Sequence, residues 1–512
     1  MYIGDYLARR ELYTPDRLAI IDSGKSPEWR LSYRQMNQRA NRLANSLQGA
    51  VGLAKGERLA ILARDGVEHL DAFFACSKLG AIHTAFNWRL HWQELLSVWH
   101  QTTPRVLIYS DDFKENVARL VEALAVPPLL LHIEGQGLPG SQHFETFLQS
   151  GVQASVTCES ITEDDIAALI FTGGTTGLPK AAQISHRMIA WNTLNTVIHD
   201  VTHNDIYLNV FPMFHTGGLF VYTLPQVIFG GTTILIRQVE AAQVLRLIER
   251  EKVTIFVAVP TIYQMLTQAS NWAEADLSSL RFCTAGGAPL PVPLVEQYTR
   301  EKGIHFKQGF GMTEFGPGIF SLAAEDALRK AGSIGRPNFY VEAHVVDEDG
   351  KFLGPDQNGE LVLKGPSICS GYFNDPLATA SAVDAQGFFH TGDIARYDGE
   401  GYFYIIDRKK DMFISGGENV YPVEIENALY QHPAVLMCAV IGIEDERWGE
   451  TGLACVVLKP GHTVSEEELI EFSRARLARF KVPCGVVFMD QLPVSAAGKI
   501  LKRDLKEMFG NS

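Results

Sequence analysis

None of the seven cysteines (Cys76, Cys158, Cys283, Cys369, Cys438, Cys455 and Cys484) belongs to a CxxC pair. Scatter of that kind argues against a structural zinc and a disulfide framework, and indicates a reducing compartment. Basic residues are outnumbered: 45 Lys and Arg stand against 59 Asp and Glu, a net charge of −14. With no basic stripe interleaved with aromatics, a nucleic-acid partner is not expected. The opening residues MYIGDYLARRELYTPD lack the long apolar core of a signal peptide. The expected location is therefore cytoplasmic. There is also no internal repeat or low-complexity segment. One stretch, Leu208 to Ile236, contains no Asp, Glu, Lys or Arg and is long enough to cross a bilayer. However, Pro212, Pro225, Asn209, His215 and the pairs Gly217-Gly218 and Gly230-Gly231 interrupt it. A buried helix followed by a core strand is expected there, and no membrane span.

The 512 residues are 46% hydrophobic and 20% charged, as in soluble globular proteins, and too numerous for one ordinary core. Short β-rich runs alternate with amphipathic stretches through the first 390 residues. Runs at Arg105–Tyr109, Thr233–Ile236, Thr254–Val259 and Gly359–Leu363 read as strands, and Tyr33–Leu47 and Glu240–Glu251 as helices. The alternation predicts an α/β fold of layered sheets, largely parallel. Near Asp407-Arg408-Lys409-Lys410-Asp411 the composition shifts to a charged, exposed-looking joint. Beyond it, strand signals at Val435–Ile441 and Ala454–Leu458 and a helix signal at Glu466–Phe480 suffice for a small α+β domain. The expected division is a large domain over 1–407 and a small one over 408–512. Residues 1–165 carry no legible chemical motif and are read as scaffold.

The segment FTGGTTGLPK (Phe171–Lys180) follows the apolar run Ile166–Ile170. Gly173, Gly174 and Gly177 allow a tight turn and close approach to a ligand. Thr172, Thr175 and Thr176 offer hydroxyls and Lys180 a positive charge, so the segment can cradle a polyphosphate. It is neither a Walker A loop, since Lys180 does not follow Gly177 directly, nor a GxGxxG dinucleotide loop. Three further motifs follow in the chain: GFGMTEFG (Gly309–Gly316), FFHTGDIARYDGEGYFYIIDRKKDMFISGGENVYPVEIE (Phe388–Glu426) and PVSAAGKILKRDL (Pro493–Leu505). In order and spacing the four resemble the core motifs of the adenylate-forming superfamily. That superfamily comprises acyl-CoA synthetases, stand-alone adenylation domains of peptide synthetases and beetle luciferase. The resemblance extends from about residue 166 to the end.

The resemblance implies activation of a carboxylic acid by ATP, with Mg²⁺, and transfer of the acyl group to CoA. Adenylation brings two anions together and stabilises charge developing on phosphorus and on departing pyrophosphate. Thr172 through Lys180 suit the pyrophosphate. Glu314 suits Mg²⁺, a hard ion that needs few protein carboxylates, and Thr313 can donate to the α-phosphate. Gly286, Gly287, Gly309, Phe310, Gly311 and Met312 resemble the walls of the adenine pocket. Phe310 stands where the family often has Tyr, which keeps the ring but loses the hydroxyl. Asp393 can accept from two ribose hydroxyls, and Arg408 can donate to the same sugar. Lys410 matches the pivot of a hinge about which the small C-terminal lid rotates. Lys499, presented by Gly498, matches the lysine that bridges substrate carboxylate and α-phosphate, a task suited to a compact ammonium. Gly416 and Gly417 lack side chains and match the lining of a pantetheine tunnel.

Amino-acid-activating relatives carry an Asp to pair with the substrate ammonium. The comparable segment here, Phe211–Gly218, has no carboxylate, so an α-amino group would be buried unpaired. His215 instead matches the histidine that flanks the carboxylate in CoA ligases. Phe214, Phe220, Met312 and Phe315 suggest an apolar acyl pocket for a fatty, cyclic or aryl acid. The expected activity is an acid–CoA ligase working through an acyl adenylate; a homodimer is compatible with it. Competing readings are an acyl-AMP ligase loading a carrier-protein pantetheine, a non-catalytic adenylate-binding protein, and luciferase-like oxidation.

Overall fold

Apolar runs bounded by glycine, proline or charge become strands, and amphipathic stretches become helices between them. A computed structural model describes residues 4–172, 179–288, 290–409, 411–415, 418–445, 448–495 and 500–510. Packing divides the chain into two units. The first comprises Met1–Arg329, Pro337–Val341 and Lys364–Gly387. The second comprises Lys330–Arg336, Glu342–Leu363 and Phe388–Ser512. It thus holds residues 408–512 together with segments that precede them in the chain.

The large unit is built on two sheets. One runs in the order Gln142–His143, Leu129–His132, Val106–Tyr109, Arg58–Leu62, Ile82–Ala85, Ile166–Thr172, Lys180–Ser185. Its neighbours are parallel except the last pair, which is antiparallel. Strands such as Val106–Tyr109 and Ile82–Ala85 are buried at every position, the continuous rather than alternating pattern of parallel strands covered on both faces. The other sheet places Gly316–Leu322, Phe306–Met312, Phe282–Gly286, Ile255–Ala258, Ile206–Asn209, Thr232–Leu235, Leu18–Asp22 and Trp29–Ser32 side by side. The pairs Gly316–Leu322 with Phe306–Met312 and Leu18–Asp22 with Trp29–Ser32 are antiparallel.

The helix expected at 33–47 runs over Tyr33–Val51. Ser32 and Gln35 form a capping box at its start and Gly52 ends it in the left-handed conformation. The charge-free stretch differs from expectation. It forms the strand Ile206–Asn209, two short helices (Thr216–Phe220 and Thr223–Phe229) and the strand Thr232–Leu235. Pro225, without an N–H, fits the first turn of the second helix, and Gly230 caps it with φ +89°. Among the described residues no helix is long and apolar enough to cross a membrane.

The second unit is less parallel than the sequence alternation predicts. Gly359–Lys364, Phe389–Tyr397 and Phe403–Arg408 are neighbours in an antiparallel sheet. A further sheet joins Glu418–Val420, Phe413–Ser415, Gly449–Leu458 and Val435–Asp445, with Gly485–Phe488 beside Gly449–Leu458. The helix expected over 466–480 stops at Arg474. Ser465 and three glutamates stabilise its first turn, while Leu477 and Phe480 leave the helical path to pack on the core around Leu469 and Val486. The charged joint is not uniformly solvated either. Asp407 is only 3% exposed, because its carboxylate accepts N–H bonds from Arg408 (2.7 Å) and Val423 (3.0 Å).

Candidate active site

Parallel strands deliver their following loops to one edge of a sheet, where ligands of such folds bind. Phe282–Gly286 ends in Gly286-Gly287 and Phe306–Met312 ends beside Thr313-Glu314, with Gly286 in register with Gly309. Gly287 has φ +81°, a conformation that disfavours a side chain. A Cβ on Gly311 would lie 2.0 Å from the Pro317 carbonyl oxygen, so only glycine permits the close turn between Phe306–Met312 and Gly316–Leu322. The Phe310 ring meets Phe320 edge to face, centroids 5.8 Å apart.

Thr172 and Lys180 sit directly opposite one another at the mouth of the hairpin formed by Ile166–Thr172 and Lys180–Ser185. The Thr172 hydroxyl donates to the Lys180 carbonyl at 3.4 Å. Gly173, Gly174, Thr175, Thr176 and Gly177 lie outside the described residues. Lys180 Nζ stands 5.2 Å from the centre of the Tyr372 ring, and the Tyr372 hydroxyl donates to Glu314 Oε1 at 3.0 Å. Burial, then the neighbouring Glu314 carboxylate, pushes the Tyr372 pKa far up, so the phenol stays protonated and remains a donor. Glu314 is fixed through its main chain as well, its carbonyl accepting from Cys369 N at 2.7 Å. Thr313 is buried, and its hydroxyl lies 3.3 Å from that of Thr216.

The strand Ile206–Asn209 leads into the loop that carries His215. Its side chain caps the helix Thr216–Phe220, Nδ1 accepting from Gly217 N at 3.0 Å, which puts the ring proton on Nε2. The loop is braced from another strand end: Asp65, just after Arg58–Leu62, accepts from Met213 N at 2.8 Å. Asp65 keeps some exposure as a residue, but dense packing around its carboxyl group raises the pKa to about 7. The Met213 N–H, Arg89 and Arg64 oppose that rise, while Asp22 adds to it. Phe214, in the same loop, packs edge-on against Trp88 at 6.3 Å.

A small crevice of about 10 Å³, room for roughly one water molecule, opens between the helix His186–Asn195 and Gly316-Pro317. Ile184, Met188, Ile189, Phe220 and Pro317 make it apolar, and Thr216 borders it. Asn192 also lines it, yet both ends of its amide are engaged: Nδ2 donates to Phe220 O at 2.8 Å and Oδ1 accepts from Gly318 N at 3.1 Å. Of the four residues expected in an acyl pocket, Phe220 lines this crevice. Phe315 is fully buried elsewhere in the packing and Phe214 belongs to the Trp88 cluster.

In the second unit, Asp393 and Arg408 face each other across adjacent strands. Their side chains form an ion pair, Nε to Oδ1 2.6 Å, with Asp393 only 1% exposed and Arg408 exposed. The Thr391 hydroxyl accepts from Asp393 N at 3.1 Å and donates to Leu361 O at 2.8 Å, holding the turn before the carboxylate. Lys410, Gly416, Gly417 and Lys499 lie outside the described residues.

Comparison with known proteins decides the family. Residues 7–373 match the AMP-binding enzyme family, and residues 424–499 match the AMP-binding enzyme C-terminal domain. The chain belongs to the AMP-binding enzyme family. It is 38% identical over 509 residues to a feruloyl-CoA synthase of Amycolatopsis sp, covering 99% of each chain. It is 38% identical over 516 residues to a long-chain-fatty-acid–CoA ligase of Mycobacterium tuberculosis, covering 99% of this chain and 98% of the other. Among solved structures, ATP-bound MatB from Rhodopseudomonas palustris superposes with TM-score 0.91 at 30% identity, covering 100% and 99% of the two chains.

The geometry of this AMP-binding enzyme brings together Thr172 with Lys180, Gly286 with Gly309, and Asp393 with Arg408. It adds residues that the motifs do not contain. Tyr372 links Glu314 to Lys180, Asp65 holds the His215 loop, Thr216 joins the crevice to Thr313, and Asn192 bridges two crevice walls. Met188 and Ile189 carried only a weak sequence signal, as adjacent apolar residues near the start of the helix His186–Asn195. A lone Tyr after Ser370-Gly371 carried none.

Proposed function

We propose that this AMP-binding enzyme is an acid–CoA ligase that joins an apolar acid, aryl or fatty, to CoA through an acyl adenylate. One observation carries the reading: Thr216 borders the apolar crevice and lies within 3.3 Å of Thr313, beside Glu314. An acid whose tail enters between these apolar side chains, which must part to admit it because the crevice as it stands holds only about 10 Å³, would present its carboxylate to the nucleotide motif. The crevice offers no free amide or charge to a polar tail, since Asn192 is engaged on both sides. No carboxylate in Phe211–Gly218 is available for an ammonium.

In the first half-reaction a carboxylate oxygen of the acid forms a bond to the α-phosphorus of ATP, and pyrophosphate leaves. Lys180 and the Thr172 end of the hairpin hold the departing pyrophosphate, and Lys499 neutralises the carboxylate and α-phosphate as they meet. His215, held by Gly217 N at Nδ1 on the loop just before Thr216, flanks the substrate carboxylate. Asp393 and Arg408 bind the ribose; Gly286, Gly287 and Gly309 through Met312 wall the adenine. In the second half-reaction the CoA sulfur attacks the acyl carbon, the thiol proton is released and AMP departs. Gly416 and Gly417 make room for the pantetheine arm, and residues 408–512 act as a lid turning about Lys410.

Glu314 suits Mg²⁺. Among the described residues no group of three or more His, Cys, Asp or Glu forms a self-contained metal cage. A single carboxylate beside a lysine and hydroxyl donors fits an ion that takes most of its oxygens from phosphate and water. When bound, the ion would offset charge on the phosphates. The seven free cysteines support a reducing, cytoplasmic setting.

A panel of aryl and fatty acids, assayed for pyrophosphate release with ATP and then with added CoA, tests this reading. Acid-dependent release that becomes multi-turnover with free CoA and yields acyl-CoA is expected. Release that only a carrier-protein pantetheine can discharge would contradict it.

A further inference from the structure

Tyr372 lies outside the motifs assigned to nucleotide or acid. Its place is fixed by the main chain: Gln183 N donates to Gly371 O (2.9 Å), Ser370 N to Gln183 O (3.0 Å) and Phe373 N to Ala181 O (2.8 Å). Residues 370–373 therefore run along the strand that begins at Lys180. Thr379 Oγ1 accepts from Tyr372 N at 2.9 Å, and the ring packs against the core that contains Ala182 and Ile184. The phenol is thus set by its backbone, with little freedom to follow a partner.

That fixed hydroxyl occupies one oxygen of Glu314, Oε1, at 3.0 Å. The Cys369 N–H on the Glu314 carbonyl, from the same short segment, prevents the glutamate from backing away. Mg²⁺ requires near-octahedral geometry and takes carboxylates through one oxygen, whereas the larger Ca²⁺ readily takes both oxygens of one carboxylate. A carboxylate with one oxygen already hydrogen-bonded is suited to the first and hindered for the second.

We propose that Tyr372 is a positioning residue: its hydroxyl reserves Oε2 of Glu314 as a single-oxygen metal ligand and so biases nucleotide binding toward Mg²⁺ over Ca²⁺. The inference rests on the reading of Glu314 as the Mg²⁺ ligand of the ligase. Its ring contact with Lys180 ties the same residue to the phosphate-binding hairpin.

The test is equilibrium binding of a non-hydrolysable ATP analogue to the full chain without acid or CoA, in Mg²⁺ or in Ca²⁺. Tyr372→Phe is expected to weaken binding in Mg²⁺ about tenfold or more, in line with the loss of an outer partner of a metal ligand. Binding in Ca²⁺ should stay level or tighten, so the Mg²⁺/Ca²⁺ preference falls. Tyr372→Leu, which also lacks the hydroxyl, must lower the preference too and replaces the first variant if that fails to fold. Glu314→Gln separates the two claims. If it leaves the metal dependence intact, Glu314 is not the ligand and the reading of the site fails. If Glu314→Gln removes the dependence while both Tyr372 variants keep the wild-type preference, or weaken binding equally in both ions, the role of Tyr372 is overturned.

Discussion

Asp65 couples a titratable carboxyl group to the loop that bears His215, and that coupling has a pH signature. Its folded-state pKa of about 7 lies above the ordinary aspartate value of about 3.9. Between those values the folded protein holds a proton that the unfolded chain has released. Stability from this group is therefore full at low pH and declines as pH rises from about 4 to about 7. Asp65→Asn, which keeps an acceptor for the Met213 N–H, should remove the decline. The melting-temperature advantage of the variant over wild type should grow across that window. The difference is on the order of 1–3 kcal/mol once partial solvent access is allowed for, and a constant offset would refute the assignment. Sequence alone gives little warning of such a residue. Arg64-Asp65-Gly66 reads as a plain turn, and both the 2.8 Å contact and the packing that shifts the proton arise from a segment 148 residues away. Tyr372 was hidden for the same reason: its partners are 58 residues away at Glu314 and on the neighbouring strand. The residues proposed to touch substrate lie largely in glycine-rich motifs legible in one dimension; Asp65 and Tyr372, which hold their neighbours in place, do not.

Elements were legible where one physical signal dominates. The runs expected at 105–109, 233–236 and 254–259 fell into parallel strands within one residue of their expected ends, that at 359–363 into an antiparallel one, and those at 435–441 and 454–458 into the longer strands Val435–Asp445 and Gly449–Leu458, while the capping box fixed the start of Tyr33–Val51. Boundaries shifted where packing competes with periodicity, as in the helix that ends at Arg474 rather than Phe480. The turn joining Phe306–Met312 to Gly316–Leu322 shows how an element constrains the site, since Thr313 and Glu314 occupy it. Gly311→Ala would press a methyl group against Pro317 O, 2.0 Å away. Overpacking of this kind costs about 1–3 kcal/mol and would displace Glu314 with the strand. A lowered melting temperature is expected, together with a fall in adenylation larger than the fall in folded fraction. A variant with wild-type stability and rate would show that the close approach is not needed.

For the whole molecule, the alternation of apolar runs and amphipathic stretches foretold the α/β class, the composition shift near 407–411 a large unit followed by a smaller one, and the motif order and spacing membership of the AMP-binding family. They did not foretell that the smaller unit gathers Glu342–Leu363 and Phe388–Tyr397 with the C-terminal residues. Strand pairings, not composition, set that grouping. The proposed division of labour along the chain makes each half-reaction separately vulnerable. Gly417→Leu should spare acid-dependent pyrophosphate release in a single turnover yet cut thioester formation with CoA at least about 100-fold, an effect comparable to misplacing a reacting group. Wild-type ligation by that variant would rule out a pantetheine path past Gly417.

The most direct test of the ligase mechanism is Lys499→Ala assayed for both half-reactions. Loss of acid-dependent ATP–pyrophosphate exchange by about 100-fold or more, with thioester formation from preformed acyl adenylate and CoA largely retained, is the expected result. Equal loss in both half-reactions, or exchange at the wild-type rate, would contradict the account.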